Sequence, residues 1–149
     1  MNIGFSGVRA LTSFQAEIVE KKLTKISSIY ERCVWHVGDA TGVDAIARRL
    51  ATEFATKLVV YTADNWTPWE LQQRSKRMVD ALSGGVLVAF PNKPCPARLT
   101  PWRCDRWYGS GTWGTVAYAI RCGVRVELYP LTDEAIAPAW LIVDQLSLF

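Results

Sequence analysis

Residues 34–51 read VWHVGDATGVDAIARRLA, and their reading decides the fold. Val34–Val37 is apolar apart from His36 and stops at Gly38, the pattern of a buried strand. Beyond the turn, Val43, Ile46, Ala47, Leu50, Ala51 and Phe54 recur at the spacing of one helix face. Gly38-Asp39-Ala40-Thr41-Gly42 joins the two. Thr41 is read as the helix cap and Asp44 as its capping-box partner. The unpaired first-turn amides and the positive end of the helix dipole then face the strand end. Flanking glycines let a backbone approach an anion closely. Taken alone, the turn fits a phosphate cradle and a plain tight turn equally well.

The same alternation extends in both directions. Asn2–Ser6 is short and apolar, with Gly7 after it. Thr12 and its capping-box partner Gln15 open a helix whose Ala16, Val19, Leu23, Ile26 and Tyr30 share a face. Lys57–Tyr61 is a third strand. Thr67-Pro68-Trp69-Glu70 combines a capping threonine, a first-turn proline and a glutamate placed to reach back, and a helix follows to about Leu82. Gly85–Phe90 is a continuous apolar strand, Gly114–Cys122 a helix and Val124–Tyr129 a fifth strand. The tail from Thr132, with apolar Trp140–Val143, is open between helix and edge strand. Apolar strands alternating with helices imply a parallel sheet covered on both faces. The expectation is an α/β, Rossmann-like, doubly wound fold with a mainly parallel sheet of about five to six strands. One domain over residues 1–149 suits the length.

Composition narrows the class. Half of the residues are hydrophobic and the formal charge is only +3, which excludes a disordered chain and does not single out a nucleic-acid binder. No apolar run approaches the roughly 18 residues of a membrane span, and the N-terminus has no targeting pattern, so a cytoplasmic protein is expected. Cys33, Cys95, Cys104 and Cys122 form no CxxC pair and His36 is the only histidine, so no metal site is expected. Cys33 and Cys122 are read as small core residues, and all four as free thiols. His36, inside an apolar strand, is read as buried and hydrogen-bonded.

In doubly wound sheets ligands bind beyond the carboxyl ends of the strands. Arg9 follows the first strand and can hold a phosphate through two parallel hydrogen bonds. Residues 109–123, GSGTWGTVAYAIRCG, lead into a second helix with Gly111, Thr112, Gly114 and Thr115 supplying amides and hydroxyls. Gly109, Gly111 and Gly114 match G-x-G-x-x-G, but they lie late in the chain and lack the acidic residue of a dinucleotide site. Two such helix starts on one sheet edge favour an anion site. Residues 91–108, PNKPCPARLTPWRCDRWY, interleave Lys93, Arg98, Arg103 and Arg106 with Trp102, Trp107 and Tyr108, which suits stacked bases and phosphates. A lid over the ligand or a subunit contact is favoured for this loop over a DNA surface. Trp66 and Trp69 follow the third strand, where one could stack on a base, but packing at the helix start is the favoured role.

The order Ser6-Gly7-Val8-Arg9, GDATGVDAIA, RSKRMVDAL with GVLVAFP, and GSGTWGT resembles the SLOG superfamily over roughly Met1 to Leu131. That superfamily includes the Rossmann domain of DNA-processing protein A, the Lonely Guy proteins and the molybdenum cofactor carriers. The resemblance implies a Rossmann-like sheet that binds nucleotides or their derivatives. Gly7 and Arg9 match its first phosphate loop; Gly38, Thr41, Gly42 and Asp44 its second glycine turn; Arg74, Arg77 and Met78 its helix-three pattern; and Gly111, Gly114 and Thr115 its PGGxGT-like loop. Lonely Guy proteins are phosphoribohydrolases, with a glutamate shortly after the GT pair. Here Val116 and Ala117 follow Thr115, Ser110 replaces the proline and Thr112 the second glycine. Glycosidic cleavage needs a carboxylate near the ribose. Asp39 and Asp64 lie in loops from which they could supply it.

The expected function is therefore binding of a phosphate-bearing nucleotide or nucleotide-derived cofactor by a binding, sensing or carrier protein. The residues expected to hold it are Gly7, Arg9, Gly38, Asp39, Thr41, Gly42, Arg74, Arg77, Gly111, Thr112, Gly114 and Thr115. The alternatives are a nucleoside 5′-monophosphate phosphoribohydrolase and a single-stranded DNA module. The tryptophan-rich loop and the apolar tail Trp140–Phe149 hint at a homo-oligomer.

Overall fold

A computed structural model describes residues 1–141 of the chain. Its elements run β1 (Asn2–Gly7), α1 (Ser13–Ile29), β2 (Val34–Gly38), α2 (Val43–Glu53), β3 (Lys57–Tyr61), α3 (Pro68–Asp80), β4 (Val86–Phe90), α4 (Gly111–Arg121) and β5 (Arg125–Leu128). The five strands form one parallel sheet in the order β3-β2-β1-β4-β5. This is the doubly wound α/β arrangement expected. Successive residues of a strand face opposite sides of a sheet, and β4 shows why its run is apolar throughout. Val86, Val88 and Phe90 pack with α1 and α2, while Leu87 and Ala89 pack with α3 and α4. On β1, Ile3 and Phe5 join the first core, and a Cβ on Gly4 would lie 2.6 Å from Leu82 on the other face.

Local chemistry sets the helix starts. Thr12 and Gln15 form the reciprocal capping box of α1. Thr67 accepts the Glu70 amide at α3, with Pro68 in the first turn, but the Thr67 amide is satisfied by Asn65 Oδ1 rather than by Glu70. The last helix begins at Gly111, three residues ahead of the expected Gly114, because Ser110 caps it. Cys33 is buried but Cys122 is exposed at the end of α4, contrary to its reading as a core residue. Residues 139–141 are helical and Leu141 is fully buried, so the run from Trp140 opens as helix; the rest of the tail lies outside the described residues. Among the described residues no helix is long and apolar enough to cross a membrane.

His36 is buried in β2, with Nδ1 2.8 Å from the Tyr61 hydroxyl and Nε2 2.9 Å from Asn2 Oδ1. The carboxamide oxygen accepts, so Nε2 carries the proton and Nδ1 accepts from Tyr61. Burial lowers the His36 pKa from its ordinary 6.5. The folded state therefore resists protonation, and the stability associated with neutral His36 is lost as pH falls below about 6.5. Unfolding free energy should decline as pH falls below about 6.5 in the wild type and less steeply in His36→Gln, as measured by urea titrations from about pH 7 downward.

Candidate functional site

β1 is connected through α1 to β2 on one side of it, whereas β4, its other neighbour, passes through α4 to β5 on the far side. The two connections diverge at the carboxyl ends of β1 and β4, which opens a crevice there. It contains a cavity of about 750 Å³, within the range of small-molecule sites. Gly7, Val8 and Arg9 line it from β1, Gly38, Ala40 and Asp44 from the β2–α2 region, Arg74 from α3, and Gly111 and Thr112 from α4. Among the described residues, no group of three or more His, Cys, Asp or Glu side chains is placed to hold a metal ion.

The turn after β2 is closed by its own hydrogen bonds. The cap of α2 is Gly42, not Thr41, and no side chain caps it. Thr41 instead donates its hydroxyl to the Arg9 carbonyl at 3.0 Å. The first helical amide, of Val43, donates to the Val8 carbonyl at 3.1 Å. Arg48 Nη1 donates to the carbonyls of both Gly38 and Ala40, each at 2.9 Å. Asp44 reaches back to the Ala40 amide at 3.3 Å rather than to Thr41. Thus the predicted capping box is replaced by a buried carboxylate at the α2 start, 5 % exposed and facing the cavity. A carboxylate there takes the place an anionic ligand would occupy, so Thr41 and Gly42 hold loops together and do not line the cavity.

Gly38 explains how two charged side chains meet in so little space. A Cβ there would lie 2.6 Å from Asp44 Oδ2 and 2.8 Å from Arg74 Cζ. Arg74 Nη1 donates to Asp39 Oδ1 at 2.7 Å, with the side chains 11 % and 22 % exposed. The Ala63 amide donates to the other Asp39 oxygen at 3.4 Å. Desolvation pushes the Asp39 pKa up, but the Arg74 and Ala63 hydrogen bonds and the guanidinium charge outweigh it and leave Asp39 below its usual range. Asp44 moves the other way. Burial raises its pKa, and Arg74, the Ala40 amide and Arg48 offset only part of that. Neither expected carboxylate lines the cavity: Asp39 is held in its ion pair, and Asp64 is exposed beyond β3. Asp44, assigned a capping role by spacing alone, is one of two carboxylates that do, the other being Asp105 in the loop before α4.

The start of α4 has the opposite character. Ser110 satisfies the Trp113 and Gly114 amides. The Gly111 and Thr112 amides have no partner among the described residues, and both residues line the cavity. Gly114 and Thr115 belong to the helix interior instead. A Cβ on Gly114 would fall 2.0 Å from the Trp107 ring, and buried Thr115 donates its hydroxyl to the Gly111 carbonyl at 2.6 Å. Arg77 also lies outside the cavity lining and donates to the Thr62 carbonyl at 2.7 Å.

Aromatic rings stand at the mouth. Trp66, Trp69 and Tyr108 line the cavity and are 56 %, 64 % and 47 % exposed, so the two tryptophans do not serve as packing for the start of α3. The Arg9 guanidinium lies over the Trp66 ring at 5.4 Å from its centroid. The 91–108 loop is anchored, not loose. Leu99, Cys104 and Trp107 are buried in the α3–α4 core, and Trp113 Nε1 donates to the Lys93 carbonyl at 2.7 Å. Lys93, Arg106 and Tyr108 from this loop reach the cavity; Arg98, Trp102 and Arg103 do not.

The strand order and the crevice at its switch point define a Rossmann-like α/β domain. Its fold is similar to that of DNA processing protein A. The chain superposes on the X-ray structure of that protein from Streptococcus pneumoniae with a TM-score of 0.64 and 16 % sequence identity. The match covers 99 % of this chain and 55 % of that one, so the chain spans about half of that protein's length. No family model and no curated protein matches the sequence.

Proposed function

We propose that the chain binds a phosphorylated nucleoside, or a cofactor derived from one, in the cavity at the β1–β4 switch point. The observation that carries this reading is the pairing of free Gly111 and Thr112 amides at the α4 start with Arg9 in one cavity. Unpaired helix-start amides and an arginine fork suit a phosphate group. The aromatic mouth suits a base, which stacks on exposed rings without needing specific hydrogen bonds. Arg9 rests over Trp66 and is exposed, so it can turn inward to the anion without unpacking the core. The role is binding, sensing or carriage; glycosidic cleavage would have to use Asp44 or Asp105, since Asp39 and Asp64 lie outside the cavity lining.

Arg9→Ala should weaken binding of ribonucleoside 5′-monophosphates roughly 10- to 100-fold, the worth of charged hydrogen bonds, with the melting temperature unchanged. Equilibrium titration of both proteins by tryptophan fluorescence measures this. Equal affinities would remove the phosphate assignment. A second reading, contact with single-stranded DNA, rests on Trp102, 78 % exposed beside exposed Arg98 and Arg103 outside the cavity lining, and on the name of the structurally similar protein. It predicts salt-sensitive oligonucleotide binding that Arg98→Ala with Arg103→Ala weakens strongly.

A further inference from the structure

We infer that Asp44 is the specificity-determining residue of this cavity and that it reads the ribose hydroxyls of a ribonucleoside phosphate, an inference that rests on the phosphate reading above. A buried carboxylate is costly to hold in a fold unless something compensates it. Asp44 is 5 % exposed, yet its only direct hydrogen-bond donor among the described residues is the Ala40 amide at 3.3 Å. Arg74 lies close across Gly38 but makes its short contact with Asp39, and Arg48 Nη1 donates to two backbone carbonyls and not to Asp44. Asp44 thus retains acceptor capacity facing a cavity. Paired neutral donors suit that capacity, and a second anion does not.

Placement selects which donors. Asp44 stands at the β2 side of the crevice and the free α4 amides at the β4 side, with β1 between them. Two strand spacings separate the sides by about 10 Å. Inorganic phosphate cannot touch both. A nucleoside phosphate can, with its phosphate on α4, its sugar across the Gly7–Arg9 backbone and its base at the aromatic mouth. In that orientation the sugar hydroxyls are the donors nearest the deep carboxylate, because the base is held at the exposed rings of Trp66, Trp69 and Tyr108.

The test compares three probes on wild-type and Asp44→Asn protein by isothermal titration: the four ribonucleoside 5′-monophosphates, their 2′,3′-dideoxy counterparts, and pyrophosphate. Wild type should bind at least one ribonucleotide roughly 10- to 100-fold more tightly than its dideoxy form. Asp44→Asn should erase that preference and keep pyrophosphate affinity. Asp44→Asn should also melt higher at neutral pH. The raised pKa means that the Asp44 contribution to stability is full below about 3.8 and is lost as pH rises through the folded value, and an amide has no such loss. Equal binding of ribose and dideoxy forms by wild type overturns the inference even if the variant does not fold. Equal loss of pyrophosphate and nucleotide in the variant overturns it too, by showing a structural role. Pyrophosphate binding without nucleotide binding removes the inference and leaves the phosphate site. Binding of none of the three removes both.

Discussion

Gly42→Ala should destabilise the protein by about 3 kcal/mol and lower its melting temperature by about 10 °C. Gly42 has φ +70° and ψ −126°, a conformation that side chains rarely adopt. A Cβ there would lie 2.1 Å from the Val8 carbonyl oxygen and 2.6 Å from that of Arg9. Both are backbone atoms, and both are fixed by hydrogen bonds, from the Val43 amide and the Thr41 hydroxyl respectively. Neither can yield without opening the contact between the α2 start and the loop after β1. The cost is therefore structural, and ligand affinity should fall as well, because Arg9 sits on that loop. Thermal unfolding of the variant measures it; an unchanged melting temperature would show that the loop is free to move, and that Gly42 is not its hinge point.

Arg74→Met should cost roughly 2–3 kcal/mol at pH 7, the lower part of the range for a broken buried pair because a fifth of the Asp39 side chain meets water. The substitution removes the 2.7 Å partner of Asp39 and the positive charge that acts most strongly on Asp44 at once. The pH dependence carries the sign. In wild type, the depressed Asp39 pKa gives stability that is present above the ordinary value of 3.8 and lost as pH falls through the folded value. Asp44, raised, is least favourable when ionised and is relieved by acid. Both effects make the variant's deficit largest near neutrality and smaller below about pH 4. Urea titrations at pH 7 and at pH 3.5 measure the difference. A deficit of equal size at both would place the role of Arg74 in packing and not in charge.

The parts of this fold that depend on local pattern were legible in the sequence. The capping box at Thr12 and Gln15, the proline start at Pro68, and the apolar runs of β1 through β4 each report a short-range preference that the tertiary structure keeps. The misplaced start of α4 has a specific cause. The glycine-rich entry places the helix start at Gly114, but Gly111 already lies within the helix, and Gly114 is glycine because Trp107, in the turn just before α4, packs against it. Asp44 shows the same limit. Its spacing from Thr41 suits a capping box, and only the packing of Arg48, Arg74 and the β1 loop around it reveals a cavity-facing carboxylate. Position at a helix start suggests a packing role for Trp66 and Trp69; the cavity mouth leaves them exposed. Arg9, Gly38, Arg74, Gly111 and Thr112 do meet at one cavity, as the order of loops along a doubly wound sheet requires.

The most direct test of the central claim is an amide-resolved NMR titration of the protein with the four ribonucleoside 5′-monophosphates. The account predicts saturable shifts at the amides of Gly111 and Thr112, at Val8 and Arg9, and at the indole of Trp66, with little change at Trp102 or Arg103. An absence of saturable shifts at the α4 start, or shifts confined to residues 98–103, would contradict it.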